Sequence, residues 1–134
     1  VFGLKDFQQL YLIKQMAKKY FPKLKIISAP TIRSKNGLAL SSRNSYLDET
    51  SIKTAPLFYK ILLDGINNLK NSNNFEQTIK YITANLEKNR FLVNYVSFMT
   101  TELEKLKLNT SERKILLSSV KLGQTRLIDN IEFN

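Results

Sequence analysis

Lys114-Ile115-Leu116-Leu117-Ser118-Ser119-Val120-Lys121-Leu122-Gly123-Gln124-Thr125-Arg126-Leu127-Ile128-Asp129-Asn130-Ile131 reads as two β-rich runs meeting at a two-residue joint. β-Branched and apolar residues crowd both arms, a composition that suits a pleated, half-buried surface. Gly123 permits the tight turn that folds one arm back on the other, and Leu127 and Ile128 fall inside the second arm. A third run of the same character, Val93 to Thr100, lies upstream. Together the three predict a small antiparallel sheet.

What precedes the sheet has a helical period. Asp48-Glu49-Thr50-Ser51 supplies a cap and early negative charge for a helix running to about Lys70, with Leu57, Ile61, Leu62 and Ile66 on its buried face and Pro56 expected to bend it. After the polar loop Asn71-Ser72-Asn73-Asn74, the spacing of Phe75, Ile79, Ile82 and Leu86 marks a second amphipathic helix. Two helices covering a three-stranded antiparallel sheet make a small α+β domain.

The front of the chain differs in style. From Asp6 to Phe21, Phe7, Leu10, Leu12, Ile13, Met16, Ala17 and Phe21 recur at helical spacing until Pro22 stops the pattern, predicting a helix with one buried face. Lys25 to Ala29 is a short β-rich run ended by Pro30. With Val1-Phe2-Gly3 as the end of an earlier strand, the order strand, loop, helix, strand reads as the tail of a parallel α/β unit. Thr31 to Ser45 is polar and turn-forming, so the expected division is residues 1–31 as the end of one domain and 32–134 as a second. Val1 does not read as a natural terminus, and the chain is expected to be truncated at the front.

Composition narrows the chemistry. The 134 residues are 43% apolar, enough for a core, and no apolar run approaches the roughly 20 residues that cross a bilayer, so a soluble protein with no membrane partner is expected. With no cysteine and no histidine, thiolate and imidazole metal sites and both Ser-His and Cys-His nucleophile systems are excluded within this segment. A net charge of +10 suits an anionic partner. The lysines, however, are scattered over solvent-face positions (Lys14, Lys18, Lys19, Lys23, Lys25, Lys53 and onward), which argues for a compositional bias and against nucleic acid.

Three short segments remain that could carry chemistry. Lys5 follows Gly3 where a strand gives way to a helix, so its amine and the first free N–H groups could meet a phosphate; a surface lysine beside a helix start is the plain alternative. Asp6 and Gln9 project from one side of the first turn, where a carboxylate can accept from ribose hydroxyls and an amide can hold a substrate hydroxyl. The same Asp-x-x-Gln spacing is also a capping box. Ser41-Ser42-Arg43-Asn44 puts two hydroxyls and a permanent cation in consecutive positions, which suits a triphosphate losing pyrophosphate, or an ordinary turn and cap. In sequence order these elements look like the second half of a nucleotide-binding fold with its crevice at the carboxyl edge.

Phe2-Gly3-x-Lys5-Asp6-x-Gln8-Gln9, Ala29-Pro30-Thr31-x-Arg33, Gly37-Leu38-Ala39-Leu40-Ser41-Ser42-Arg43-Asn44-x-Tyr46-Leu47 and Leu122-Gly123-x-Thr125-Arg126-Leu127-Ile128-Asp129-Asn130 resemble, in order, the pantothenate synthetase family. The resemblance implies the tail of a Rossmann-like nucleotide-binding domain followed by the α+β domain acting as a lid. It implies a cytoplasmic ATP-dependent ligase, using Mg²⁺ with ATP, that adenylates pantoate and passes the acyl group to β-alanine. By the same resemblance, Lys5, Ser41, Ser42 and Arg43 bind and neutralise phosphates. Gly3 and Asp6 hold ribose, Gln9 binds pantoate, and main-chain groups near Ala29, Ile32 and Leu40 receive adenine. The family is usually dimeric through its amino-terminal half.

The sequence departs from the family in two places. The His-x-Gly-His segment of the family's amino-terminal half is missing from this histidine-free chain, so the chain alone is expected to be nearly inactive. Asn36 stands where the family usually has Asp, which keeps turn preference and removes a charge. Arg126 is expected to pair with Asp129 or another acid, and its segment reads as structural. A basic nucleic-acid-binding module and a non-catalytic interaction domain are the competing readings of the whole.

Overall fold

The computed structural model describes residues 1–107 and 111–134. Strand β1 (Phe2–Gly3) runs through a single 3-10 turn, Leu4–Asp6, into helix α1 (Phe7–Tyr20), and β2 (Ser28–Ala29) returns parallel to β1 with Phe2 opposite Ser28 and Gly3 opposite Ala29. The β-rich run predicted over Lys25–Ala29 therefore shrinks to two residues, because β1 offers a partner only two residues long. The predicted buried face of α1 is also only partly covered. Phe7, Leu10 and Ala17 are buried, whereas Leu12, Met16 and Phe21 remain exposed, and with Tyr20, Leu24 and Ile27 they leave apolar surface uncovered along this unit.

Thr31 to Ser45 is more ordered than an irregular connection. Arg33 and Ala39 form an antiparallel bridge, with Ser34 N–H donating to the Leu38 carbonyl at 2.9 Å and Leu40 N–H to that of Ile32 at 2.9 Å. Gly37 closes this turn with φ +95°, and a Cβ there would press on the Tyr59 ring. Asn36 accepts from the Ser34 hydroxyl within the turn, a bond its amide oxygen serves as well as a carboxylate would. A short 3-10 helix, Ser42–Tyr46, follows.

The single helix predicted from Asp48 to Lys70 is two: α2 (Glu49–Thr54) and α3 (Leu57–Ser72). Asp48 Oδ1 caps α2 by accepting from Ser51 N–H at 2.7 Å. Pro56 explains the break, since it has no N–H to continue the ladder of α2 and its fixed φ suits the start of α3. Asn73, in the left-handed region, ends α3, and the Asn74 side chain caps α4 (Phe75–Lys88).

Strands β3 (Phe91–Thr100), β4 (Lys114–Leu122) and β5 (Thr125–Phe133) form the expected three-stranded antiparallel sheet in sequential order. Gly123, with φ +59°, and Gln124 form the two-residue turn between β4 and β5. α3 and α4 bury Phe58, Leu62, Ile82 and Leu86 against Leu116 and Val120 on one face of the sheet. At roughly 1.5–3 kcal/mol for each fully buried large apolar side chain, this layer dominates the stability of the domain. The other face is not open to water along its length: Phe7 and Leu4 pack on Ile115 and Leu117. β4 is consequently buried on both sides, which its unbroken Ile115-Leu116-Leu117 run anticipates.

Candidate functional site

Two chain segments meet at the edge of that second face. The first is the turn Leu4–Asp6, held on the sheet by Asn130, whose Nδ2 donates to the carbonyls of Leu4 at 2.9 Å and Lys5 at 3.0 Å. The second is the start of the Ser42–Tyr46 helix. Ser41 Oγ accepts from Arg43 N–H at 3.2 Å, and the Ser42 carbonyl accepts from Ser45 Oγ at 2.8 Å, so the Ser-rich loop is locally self-capped. Lys5 Nζ donates to the Leu40 carbonyl at 3.2 Å and joins the two segments.

Between them lies a cleft of about 220 Å³, lined by Lys5, Asp6, Ser41, Ser42, Arg43, Arg126 and Ile128. Three cations face one carboxylate there. Arg43 makes no ion pair among the described residues, and neither does Lys5. Burial pushes the Lys5 amine below its ordinary pKa; Asp129 and Asp6 oppose the shift, and the Arg33 and Arg43 charges add to it. A cationic cleft with hydroxyls and few counterions is suited to a polyphosphate.

The residues picked from sequence are distributed as follows. Lys5, Asp6, Ser41, Ser42 and Arg43 share the cleft. Gln9 lies in an adjoining cleft of about 160 Å³ that also includes Lys5, Asp6 and Arg126. Gly3 and Ala29 stand opposite each other in the parallel ribbon, and Leu40 is bonded through its N–H to Ile32. Both main-chain groups of Leu40 are thus engaged within the chain, though its carbonyl keeps a second lone pair. A larger cavity of about 320 Å³ beside Leu10, Tyr11 and Arg113 contains none of these residues.

One alternative and one expected pairing fail. The capping box does not form, because Asp6 makes no side-chain capping bond at the start of α1. Its backbone leaves the preceding 3-10 turn at φ −90°, ψ 63°, outside the extended geometry a cap needs, and the residue lines the cleft instead. Arg126 also does not pair with Asp129. Asp129 points to the helix-covered face and grips Arg33, whereas Arg126, one strand position off parity, points to the opposite face and donates from Nε to Ser119 Oγ at 3.0 Å.

Arg33 is the residue that sequence reading left without a role. It bonds Asp129 through both Nη groups, donates to the Gly37 carbonyl at 3.1 Å and stacks on Tyr59 with its guanidinium carbon 3.5 Å from the ring centroid. Desolvation works to lower its pKa, but the Asp129 hydrogen bonds and charge, with help from Tyr59, outweigh this and raise it. The arrangement fixes the bridge of residues 33–39, and so the start of the Ser-rich loop, against α3 and β5. The acid at Asp129 was the available sequence signal, but neither its burial nor its partner was legible.

The family model described as Pantoate-beta-alanine ligase matches residues 1–132. This chain belongs to the pantoate–β-alanine ligase family. A pantothenate synthetase of Hahella chejuensis is 36% identical over 132 residues, which is 98% of this chain and 47% of that protein. The pantoate–β-alanine ligase of Schizosaccharomyces pombe is 39% identical over 133 residues, again 98% and 47%. Among solved structures, a pantothenate synthetase from Thermus thermophilus superposes with a TM-score of 0.83 at 28% identity, covering 97% of this chain and 48% of that one. The Francisella tularensis ligase, solved with β-γ ATP and β-alanine, gives 0.66 at 34% identity, covering 97% and 41%. The chain therefore spans about half the length of the pantoate–β-alanine ligase relatives it matches.

Proposed function

We propose that this chain supplies the phosphate-handling part of an ATP-dependent ligase that joins pantoate to β-alanine, giving pantothenate, AMP and pyrophosphate. In the first step a pantoate carboxylate oxygen attacks the α-phosphorus of ATP, the bond to the bridging oxygen breaks, and pyrophosphate leaves with the electron pair. In the second the neutral amine of β-alanine attacks the acyl carbon, a C–N bond forms, AMP leaves, and the surplus proton passes to solvent. Neither step needs a nucleophile from the protein. Alignment of two anions and relief of their repulsion are the main tasks, and these are tasks for fixed cations and donors.

The observation that carries this reading is the meeting of Lys5 with Ser41, Ser42 and Arg43 around one cleft. In the proposal they hold the β- and γ-phosphates and the charge that grows on the leaving pyrophosphate. Asp6 and the Gly3 backbone hold ribose, Gln9 holds pantoate, and the main chain at Ala29, Ile32 and Leu40 borders adenine. Residues 1–31 would end a Rossmann-like nucleotide-binding domain, and the exposed apolar surface of α1 suits cover by the rest of such a domain. Residues 32–134 would form the lid that excludes water from the acyl-adenylate. The whole protein would be a cytoplasmic homodimer through its other half, with no nucleic-acid partner, and the chain by itself would be inactive.

Mg²⁺ would enter with ATP. Among the described residues no three acidic or other metal-ligating side chains cluster, and the cleft is lined by a single carboxylate, Asp6, which fits an ion held mainly by phosphate oxygens and water. When bound, the ion neutralises charge on the phosphates.

The test is pantoate-dependent exchange of pyrophosphate into ATP, in the chain completed with an amino-terminal half to the length of its relatives. Lys5→Ala and Arg43→Ala are each expected to lower exchange by about 10²-fold or more, the scale for losing a donor to developing charge. Exchange at the parent rate in both variants would remove the proposed roles.

A further inference from the structure

Arg126 reaches the cleft from the sheet, not from either segment picked out in the sequence. Along β5, Leu127 and Asp129 face the helices, so Arg126 and Ile128 face the opposite side, where the turn carrying Lys5 lies. Its Nε donates to Ser119 Oγ at 3.0 Å, and that hydroxyl donates to Asn94 Oδ1 at 3.3 Å. Ser119 is fully buried. Asn94 sits where the β3–β4 register slips between Val93 and Tyr95, an irregularity of the kind that re-aims a side chain.

The strut leaves the outer end of the guanidinium uncommitted. Among the described residues neither Nη group of Arg126 has a hydrogen bond or ion pair, and the side chain is exposed at the junction of three clefts. Its cross-strand neighbour is Lys121, and Lys5 and Arg43 share its cleft. Neither nearby carboxylate claims it: Asp129 is taken by Arg33 on the far face, and Asp6, in the same cleft, makes no ion pair with it among the described residues. Placing a held arginine among like charges costs stability unless an anion joins them.

We propose that Arg126 is a third phosphate-binding cation of the site, presenting both Nη groups to the polyphosphate while Ser119 and Asn94 fix its orientation. The identity of the ligand as the ATP phosphates rests on the function proposed above; the anion site itself does not. Lys5 and Arg43 approach from the two connecting segments, and Arg126 supplies a planar fork from the rigid sheet between them, which suits paired contacts to phosphate oxygens.

The test titrates inorganic tripolyphosphate into the 134-residue chain by calorimetry. Arg126→Ala is expected to weaken binding about tenfold or more, the scale of a charge-assisted pair. Lys121→Ala removes the same charge from the neighbouring strand outside the cleft and is expected to stay within about twofold of the parent. Ser119→Ala is expected to weaken binding by a smaller factor, with no further effect once Arg126 is already Ala, a dependence that a general loss of packing would not give. Thermal unfolding of Arg126→Ala at the parent temperature confirms that the fold is intact. Parent-like binding by Arg126→Ala, an equal loss in Lys121→Ala, or no binding by the parent chain each overturns the proposal. If the completed protein shows no pantoate-dependent exchange while tripolyphosphate binding still depends on Arg126, the ligase reading falls and the anion site stands.

Discussion

Asp129 holds Arg33 by two parallel hydrogen bonds, Oδ2 to Nη1 at 2.6 Å and Oδ1 to Nη2 at 2.8 Å, across 96 positions of sequence. The Asp129 side chain is 2% exposed and the Arg33 side chain 18%, so the pair is largely out of water. Removing one partner leaves the other charge buried and unmatched. Asp129→Asn is therefore expected to cost about 3 kcal/mol, measured by urea unfolding, the lower end of the range because Arg33 keeps some solvent. Replacing both residues with apolar ones of similar volume is expected to recover part of that loss. A single variant as stable as the parent would show that the pair contributes nothing.

Asn130 acts on the other face of the same strand. Its amide nitrogen serves the carbonyls of both Leu4 and Lys5. Asn130→Ala removes two hydrogen bonds from a largely buried corner, and about 1–3 kcal/mol of destabilisation is expected. Because the turn that carries Lys5 is released as well, tripolyphosphate binding should weaken even where the variant is fully folded. Unchanged affinity in a folded Asn130→Ala chain would mean that Lys5 is placed by other contacts.

These two tethers mark the limit of what the sequence made legible. Helices α3 and α4 and the strand pattern of β3–β5 were readable because apolar residues recur at the period of each element, and Gly123 marked the hairpin. The Lys5 and Ser41–Arg43 segments stood out through their likeness to a family pattern, since each taken alone reads as a surface lysine or an ordinary turn and cap. Their closeness was not readable. It depends on Asn130 meeting a turn 125 positions away and on Asp129 choosing Arg33 over Arg126, and no local period encodes either contact. Strand alternation puts Arg126 on the face opposite Leu127, yet nothing local says that this face looks onto Lys5. Likewise, the exposed Leu12 and Met16 obey the helical period of α1 but have no cover within these residues.

Lys5 gives a pH signature. Burial lowers its pKa from the ordinary lysine value, and only the ammonium form attracts phosphate. Tripolyphosphate affinity is expected to fall with rising pH in a range below that of a free lysine, and this limb should vanish in Lys5→Met. Stability without the anion runs the other way. A folded-state pKa below the unfolded one means that the charged form opposes folding: the relief is complete above the unfolded value and is lost as pH falls through the folded value. At neutral pH, Lys5→Met should thus bind anions worse while being at least as stable, read by titration and by urea unfolding. A variant that loses both properties would show that the lysine's bond to the Leu40 carbonyl outweighs its desolvation.

Gly65 tests whether the helix layer beneath the Arg33 clamp is close-packed. A Cβ at this position would run into Ile82 Cγ1 and Cδ1, and Ile82 is fully buried on α4. Isoleucine is stiff at χ1 in a helix, so the clash is relieved by moving α3 away from α4 or by straining the side chain. Helix propensity alone would favour Gly65→Ala by about 1 kcal/mol, whereas overpacking a filled core costs typically about 1–3 kcal/mol. The clash is expected to win, with a net loss measured by urea unfolding. Adding Ile82→Val, which deletes the terminal methyl facing the new Cβ, should return part of the loss and turn two separately destabilising changes into a partly compensating pair. If Gly65→Ala alone stabilises the chain, α3 and α4 have room to part, and the platform under Tyr59 and Arg33 is softer than its geometry implies.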